Sequence, residues 1–352
     1  MHLKDAGDSQ TADRKPEGGR ATDDFARWGD AMQPATFAFP LAAALVVGGV
    51  CGYFGKASAL QLALTALTAV SMQLANNVAR VYGDRIDRHS ARTEYYERKF
   101  AKYRSTGAAG RMEAPMQGAV IDSSAIRLRA MLALSAAAAL VLGYALIVSC
   151  TEIGNAAASM AALTCHVLAV GILLTRYLGP WCFGYRTYGN IVLFVLLAVC
   201  SGGSLLLLMG TFVPVLAYPA LALASLGVAA ANMRDLACER HDVEMSHTRT
   251  PRRTIPLSAG FKGAVICQAA FETLGVVWLV MFPAAVGAAN IWNYAFAIFF
   301  IPMAGDLVSI LRAKPDDVGA LQKSLGVSML LLGAAFFLSL ASGNMETLLA
   351  LA

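Results

Sequence analysis

Nine long apolar segments recur along this chain, and polar segments separate them. A helix that crosses the hydrocarbon core of a bilayer, about 30 Å thick, needs roughly 20 mostly apolar residues. Because the bilayer core offers no water to unpaired peptide groups, such segments must be helical. The sequence therefore predicts an all-α integral membrane protein with nine transmembrane helices, over residues 36–55, 57–79, 128–149, 154–175, 189–210, 212–231, 260–282, 287–311 and 324–342.

The charge distribution supports a membrane protein and argues against nucleic-acid binding. The cysteine pattern argues against a zinc-binding or disulfide-rich protein. Charged residues make up 14% of the chain, against about a quarter in soluble domains, and they lie between the apolar segments. The net charge of +5 does not indicate nucleic-acid binding, because the basic residues form no single patch. The seven cysteines include no CxxC pair, so neither a zinc site nor a disulfide framework is indicated.

The basic residues also predict an orientation. Residues 1–35 are polar and lack the apolar core of a signal peptide, so we expect a disordered tail followed by a nine-helix domain over 36–352. With the predicted spans, every Lys and Arg except Lys56, 27 of 28, lies on the side of the N-terminus. The positive-inside rule then predicts a cell (plasma or inner) membrane protein whose N-terminus is cytoplasmic and whose C-terminus is on the opposite side.

Two polar clusters, residues 76–87 and 232–239, follow the second and sixth spans on this same side. Asp84 and Asp87 are three residues apart, and Asp235 and Glu239 are four apart, so each pair shares one face of a continued helix. Such carboxylates suit Mg²⁺, which binds a few carboxylates together with substrate phosphates, and neighbouring arginines suit a diphosphate. A single cluster of this kind is typical of charges that are exposed to water at a membrane surface. Two clusters on the same side favour a binding site for a metal and a diphosphate.

Several segments resemble the UbiA superfamily of intramembrane aromatic prenyltransferases, most closely the branch that prenylates 1,4-dihydroxy-2-naphthoate in menaquinone biosynthesis. Asn232-Met233-Arg234-Asp235 with Glu239 resembles its second acidic motif, and Tyr82-Gly83-Asp84 resembles part of the first. Arg80 and Val81 stand where that first motif has Asn-Asp, and Asp87 is one residue early. Further similar segments are residues 33–36, 116–121, 183–190 and 252–260.

The resemblance implies a nine-helix bundle around a central cavity. It also implies Mg²⁺-dependent transfer of a polyprenyl chain from polyprenyl diphosphate to an aromatic acceptor, within membrane lipid and without an obligate protein partner. On the naphthoate acceptor the product would be demethylmenaquinone. The implied metal ligands are Asp84, Asp87, Asp235 and Glu239, and the implied catalytic residues are Asp84, Asp235 and Tyr185.

The implied substrate-binding residues are Asn77, Tyr82, Arg80, Arg111, Asn232 and Arg234. The two asparagines could instead form hydrogen bonds between helices. Arg80 could supply positive charge where the family motif has a ligand. Tyr82 and Tyr185 are expected to line the cavity or to help deprotonate the acceptor.

Other readings stay open on the sequence. A 4-hydroxybenzoate, homogentisate or haem prenyltransferase would carry the same motifs. The sequence does not distinguish them, because it does not reveal which residues form the acceptor pocket. A transporter or non-catalytic relative would also suit paired carboxylates near helix ends. Glu272 lies inside the seventh span, where an ionisable side chain is costly and indicates a specific role.

Overall fold

The computed structural model describes residues 33–56, 58–105, 123–150, 156–178, 182–211, 213–237, 252–288, 290–312 and 318–342. The predicted N-terminal tail lies outside them, except for its last residues. Within these ranges the chain is helical and forms no strand. The helices are α1 Ala38–Tyr53, α2 Ala59–Ser105, α3 Ser123–Cys150, α4 Ala156–Thr175, α5 Gly189–Met209, α6 Ala217–Ala237, α7 Ile255–Ala285, α8 Phe300–Arg312 and α9 Val318–Ser342.

These helices confirm the predicted all-α membrane architecture. Among the described residues, eight stretches are long and apolar enough to cross a membrane, and a ninth, Ser159–Thr175 of α4, is apolar but shorter. Large apolar side chains such as Leu134, Ile191 and Ile298 are more than half exposed, which is costly in water but suits contact with lipid. The chain is therefore a multi-pass membrane protein.

The helix α2 continues well beyond its predicted end at residue 79, as far as Ser105. Residues 80–105 contain no proline and are rich in Arg, Lys, Glu and Ala, which have high helix propensity. Hydropathy marks only where a helix leaves the apolar layer, so it could not locate this end. Consequently Arg80 and Asp84 lie on a helix rather than in a loop.

Two other membrane segments are irregular. The helix α7 begins at Ile255, five residues before the predicted start, and Gly260 interrupts it with a φ of 73°, a conformation that glycine adopts readily. The eighth span enters through a 3₁₀ segment, Ile291–Phe299, before α8. Its cap is the Asn290 side chain, which accepts a 2.7 Å hydrogen bond from the backbone N–H of Trp292.

The bundle core surrounds α6, the most enclosed of the apolar helices. It packs against α5 and α7, while α1 packs against α9. Small residues permit the α1–α9 approach, since a Cβ built at Gly333 would lie 2.8 Å from the carbonyl oxygen of Ala42. Because α6 is central, its last turns carry the second polar cluster into the protein interior, and Asn232, Arg234 and Asp235 are all buried.

Candidate functional site

The segment between α4 and α5 forms the centre of the candidate site. It folds back on itself, since the backbone N–H of Gly184 donates a 2.8 Å hydrogen bond to the carbonyl oxygen of Arg176. This fold brings Tyr177 and Tyr185 together, with ring centroids 5.2 Å apart. Both tyrosines are almost fully buried. The backbone of this segment therefore holds two phenol rings in the interior, beside the ends of α2 and α6.

Asp84 of α2 joins three parts of the chain. Its Oδ1 accepts a 2.5 Å hydrogen bond from the hydroxyl of Tyr185. The same oxygen pairs with Nη2 of Arg252, which precedes α7. The guanidinium carbon of Arg252 lies 4.3 Å from the centroid of the Tyr185 ring, a cation–π contact. Asp84, Tyr185 and Arg252 thus form one unit, which we call the Asp84 clamp.

Burial raises the pKa of Tyr185 well above its usual value, and the neighbouring Asp84 carboxylate raises it further, while Arg252 and Arg80 oppose both effects. The phenol therefore keeps its proton at neutral pH and acts as a donor to Asp84. In this arrangement Tyr185 positions the carboxylate, whereas the deprotonation of an acceptor would require the phenolate form.

A close approach of backbones brings α2 to this segment. A Cβ built at Gly83 would lie 2.6 Å from the carbonyl oxygen of Tyr177, so no larger residue fits without a shift. Substitution of Gly83 by Ala should therefore push α2 away from the α4–α5 segment and loosen the Asp84 clamp. We expect Gly83→Ala to lower the free energy of unfolding by about 1–3 kcal/mol, the usual cost of overpacking, as measured by thermal unfolding in detergent.

Gly171→Ala is the matched control for this substitution. Gly171 lies in α4, and a Cβ there would meet nothing within 4 Å. Alanine is the better helix former, so the control should unfold at the wild-type temperature or slightly above it. Equal unfolding temperatures for the two variants would contradict the close-approach argument.

Three arginines surround the ring of Tyr177. The guanidinium carbons of Arg176, Arg234 and Arg80 lie 5.2, 5.3 and 5.9 Å from its centroid. Arg234 also donates from Nη2 to the Tyr177 hydroxyl, and Nη2 lies 3.6 Å from Oδ1 of Asp235. All three arginines are 3% exposed, so their charges are held out of water. We call these three residues the arginine cluster.

The electrostatics of the cluster are those of an anion site. Burial lowers the pKa of Arg176, and Arg234 and Arg80 lower it further, while Tyr177 and Asp235 oppose the shift. Burial and the two neighbouring arginines each disfavour the positive charge of Arg176, and a bound anion would offset that effect. Planar guanidinium groups also match the geometry of phosphate and carboxylate oxygens.

Both predicted asparagines form hydrogen bonds between elements. Asn77 of α2 donates to the hydroxyl of Thr36 over 2.7 Å and accepts from Gln73 over 2.9 Å. Asn232 of α6 donates to the carbonyl oxygen of Ala264 over 2.9 Å and to Oε1 of Gln268 over 3.2 Å.

The second of these networks contains Glu272. Gln268 donates to the Glu272 carboxylate over 2.6 Å, so this membrane-embedded acid is linked through one amide to Asn232. Glu272 therefore belongs to the polar contact between α6 and α7 that also contains Asn232.

The remaining predicted residues either contact other parts of the bundle or lie outside the described residues. Tyr82 accepts a hydrogen bond from Nε of Arg129 on α3. Within the described part of the chain, its ring also contacts Arg129 rather than the arginine cluster. Arg111, Glu239 and the side chain of Asp87 lie outside the described residues. Of the predicted set, the structure brings together Arg80, Asp84, Tyr185, Arg234 and Asp235 around Tyr177.

A largely apolar cavity opens beside this cluster, with about 660 Å³ of empty space including its mouth. Arg176 and Arg234 contribute its charged wall, and Gln73, Asn76 and Thr36 contribute further polar groups. Its apolar wall comes from several elements, among them Phe39, Leu173, Leu193, Leu197, Leu325 and Met329. An apolar chamber with a cationic wall can hold a molecule that has an anionic head and an apolar body.

The described carboxylates do not form a metal site by themselves. No group of three His, Cys, Asp or Glu side chains that could hold a metal occurs in the described ranges. Asp84 is engaged by Tyr185 and Arg252, and Asp235 lies beside Arg234. The predicted Mg²⁺ site therefore depends on Asp87 and Glu239 as well.

Three residues of the site were not among those predicted from sequence, namely Arg176, Tyr177 and Arg252. A signal for the first was present, because Arg176 directly follows the fourth span on the side that carries both polar clusters. Nothing in the sequence distinguishes Tyr177 from the aromatic residues that commonly anchor helices at a membrane surface.

No protein-family model matches the sequence, and no curated protein shows significant sequence similarity to it. Among solved structures, the apo UbiA homologue from Aeropyrum pernix K1 is similar with a TM-score of 0.56 and 15% identity, covering 87% of this chain and 98% of that one. A structure of digeranylgeranylglyceryl phosphate synthase is similar with a TM-score of 0.50 and 16% identity, over 87% and 98%. This chain therefore has the fold of the UbiA homologues.

Proposed function

We propose that this protein transfers a polyprenyl chain from a polyprenyl diphosphate to an aromatic acceptor, and that the acceptor is 1,4-dihydroxy-2-naphthoate, giving the reduced, quinol form of demethylmenaquinone. The observation that carries the proposal is the buried arginine cluster, which borders an apolar cavity inside a UbiA-type fold. A diphosphate with an apolar chain has the two properties that such a site matches. The motif resemblance around Asp84 and Asp235 supports the naphthoate branch.

The reaction needs two things from the chain, namely stabilisation of the leaving diphosphate and exclusion of water. The bond between the first prenyl carbon and the diphosphate oxygen breaks, and the electron pair leaves with the diphosphate. Arg80 and Arg234 are suited to stabilise that developing negative charge, which is largest in the transition state. Buried apolar walls keep water from the allylic cation, which would otherwise be hydrolysed.

The acceptor completes the reaction. A carbon of the aromatic ring forms a bond to the cationic prenyl carbon. On 1,4-dihydroxy-2-naphthoate, the carboxylate then leaves as carbon dioxide and its electron pair returns to the ring. Tyr185 and Asp84 act as positioning residues in this proposal, because their hydrogen bond and the Arg252 ion pair fix the α4–α5 segment that carries Tyr177.

The proposal also covers the location and the cofactor. We infer a cell membrane protein with the site at its cytoplasmic side, from the distribution of Lys and Arg residues. Mg²⁺ is retained as the cofactor from the motif resemblance, with Asp84, Asp87, Asp235 and Glu239 as its candidate ligands.

Purified protein in detergent should form a prenylated product from a polyprenyl diphosphate and 1,4-dihydroxy-2-naphthoate, detected by mass spectrometry, with release of one carbon dioxide per product. Parallel reactions with 4-hydroxybenzoate, homogentisate and haem identify the acceptor. A reaction with EDTA measures the need for Mg²⁺. The absence of product from all acceptors, in a monodisperse and folded sample, would refute the enzyme and favour a transport or lipid-binding role.

A further inference from the structure

Asn76 of α2 is a buried amide whose oxygen lacks a hydrogen-bond partner among the described residues. Its side chain is 2% exposed, and its Oδ1 accepts no hydrogen bond from that part of the chain. Asn76 lies on the wall of the apolar cavity, within the membrane-spanning part of α2. A buried carbonyl oxygen without a donor is unfavourable, because burial removes the water that would otherwise donate to it. Its place on the wall of a cavity therefore indicates a ligand that supplies the donor.

The polar neighbours of Asn76 are engaged with one another. Gln73 donates over 2.9 Å to Oδ1 of Asn77, and Asn77 donates over 2.7 Å to the hydroxyl of Thr36. That hydroxyl in turn donates over 2.8 Å to the backbone carbonyl oxygen of Gln33. This series holds the three side chains toward one another, and Asn76 is not part of it although it is adjacent to Asn77 in sequence.

Asn76 belongs to a neutral polar part of the cavity wall. Gln73 precedes it by three residues on the same face of α2, and Thr36 and Gln322 also border the cavity. None of these four side chains carries a charge, which distinguishes them from Arg176 and Arg234. An amide oxygen accepts hydrogen bonds and repels the oxygens of an anion, so it suits a neutral group that carries an O–H or N–H.

The aromatic acceptor is the substrate of the proposed reaction that carries such a group. A polyprenyl diphosphate presents an apolar chain and ionised oxygens, and neither donates a hydrogen bond. An aromatic acceptor carries a phenolic hydroxyl, which both donates and accepts. In 1,4-dihydroxy-2-naphthoate the C1 hydroxyl is next to the carboxylate and can donate to it internally. The C4 hydroxyl is then the donor that is free to reach the protein.

We propose that Asn76 is a specificity-determining residue that accepts a hydrogen bond from a ring hydroxyl of the aromatic acceptor, the C4 hydroxyl in 1,4-dihydroxy-2-naphthoate. The apolar walls of the cavity enclose the ring, and the hydroxyl supplies the donor that the described residues do not. An acceptor without this hydroxyl leaves the Asn76 oxygen buried and unpaired, so the site rejects it. This inference deepens the proposed function and rests on it for the identity of the ring.

Matched pairs of ligands test this inference by binding to the purified protein, without prenyl diphosphate, so that turnover does not contribute. One pair is 1,4-dihydroxy-2-naphthoate, kept anaerobic, and 1-hydroxy-2-naphthoate, which lacks the C4 hydroxyl. The other pair is 4-hydroxybenzoate and benzoate. We expect the first member of one pair to bind the wild type at least about 10-fold more tightly than the second, the scale of one hydrogen bond to an otherwise unpaired buried group. Titration calorimetry in detergent measures the affinities.

Three variants show whether Asn76 causes the preference. Asn76→Leu should remove it, so that both members of the pair bind with similar affinity. Asn76→Asp keeps an acceptor oxygen at the same place and should keep the preference, even where its charge weakens binding of both carboxylates. Asn293→Leu is the matched control, because Asn293 also has a buried Oδ1 without a hydrogen-bond partner among the described residues but does not line this cavity. It should show the wild-type preference.

Thermal unfolding without ligand separates recognition from a structural role. An amide that holds helices together destabilises the protein when it is removed. Asn76→Leu should instead unfold at the wild-type temperature or above it, because it removes an unpaired buried polar group. A lower unfolding temperature, together with an unchanged preference for the hydroxylated ligand, would assign Asn76 to the structure alone and overturn the proposal.

The binding results distinguish failure of this inference from failure of the proposed function. If neither hydroxylated ligand binds the wild type more tightly than its partner, the inference is wrong. A preference in the 4-hydroxybenzoate pair alone, lost in Asn76→Leu, supports the role of Asn76 and refutes the naphthoate acceptor. The expected preference without any prenylated product refutes only the proposed transfer.

Discussion

Replacing Arg252 by Gln is expected to lower both the stability of the protein and the proposed transferase activity. Arg252 pairs with Asp84, whose carboxylate also accepts the hydrogen bond from Tyr185. Loss of one partner from a largely buried ion pair costs about 3–5 kcal/mol when the other is left buried. Asp84 retains 14% side-chain exposure, so we expect a value near the lower end, about 3 kcal/mol.

A double-mutant cycle checks this expectation by thermal unfolding. Asp84→Asn and Arg252→Gln should each be strongly destabilising, and the double variant should be less destabilised than the sum of the two. Tyr185→Phe removes a single hydrogen bond and should cost about 1 kcal/mol, with the ring contact to Arg252 retained. Additive effects of the two charge substitutions would show that the Asp84 clamp does not act as a unit.

The cycle also distinguishes the clamp from the predicted metal role of Asp84. A carboxylate that acts only as a metal ligand should raise the Mg²⁺ concentration needed for half-maximal activity when it becomes Asn. It should leave unfolding without metal unchanged. A carboxylate that acts as the clamp should give similar losses in Asp84→Asn and Arg252→Gln, at every Mg²⁺ concentration.

Arg234→Gln is expected to reduce the rate of the proposed prenyl transfer by about 100- to 1,000-fold, the usual effect of removing one preorganised donor from developing negative charge. Arg234 is fixed on both sides, by the Tyr177 hydroxyl and by Asp235, so it is already oriented before substrate arrives. Because Arg234 is oriented before the substrate binds, we expect its replacement to lower kcat more than it changes KM. The measurement is steady-state product formation over a range of prenyl diphosphate concentrations.

Arg129→Gln is the matched control for this substitution. Arg129 also donates to a tyrosine hydroxyl, that of Tyr82, but it is exposed and lies on α3 away from the arginine cluster. Its loss should change the transfer rate little. An equal decrease in both variants would indicate that the loss reflects general disturbance of the bundle rather than transition-state stabilisation.

The membrane topology could be predicted from sequence because hydropathy is a property of each segment by itself. Each predicted span corresponds to a helical segment among the described residues, although the eighth contains a 3₁₀ segment and the fourth is shorter than the others. The end of α2 differs most, since the polar residues that follow Ala79 are as good helix formers as the apolar ones before it. Residue composition thus located the membrane layer but not the length of the helix.

The hydrogen-bond partners of the two asparagines could not be predicted from the motifs. Asn77 and Asn232 stand in the two polar clusters and were expected to bind metal or diphosphate, with contacts between helices as the alternative. The structure gives both of them partners on neighbouring elements, Thr36 for the first and Gln268 for the second. The position of an amide in a motif does not reveal its partner, because that partner comes from another part of the chain.

The sequence alone determined that this chain crosses a bilayer many times, and it predicts that its basic residues and both acidic clusters lie on one side. These follow from segment hydropathy and from the order of residues. Only the tertiary structure decided that Asp84 pairs with Arg252, 168 positions away, and that three arginines surround Tyr177. The physical reason is that the energy of a buried charge depends on what helix packing brings within a few ångströms of it, which the local sequence does not specify.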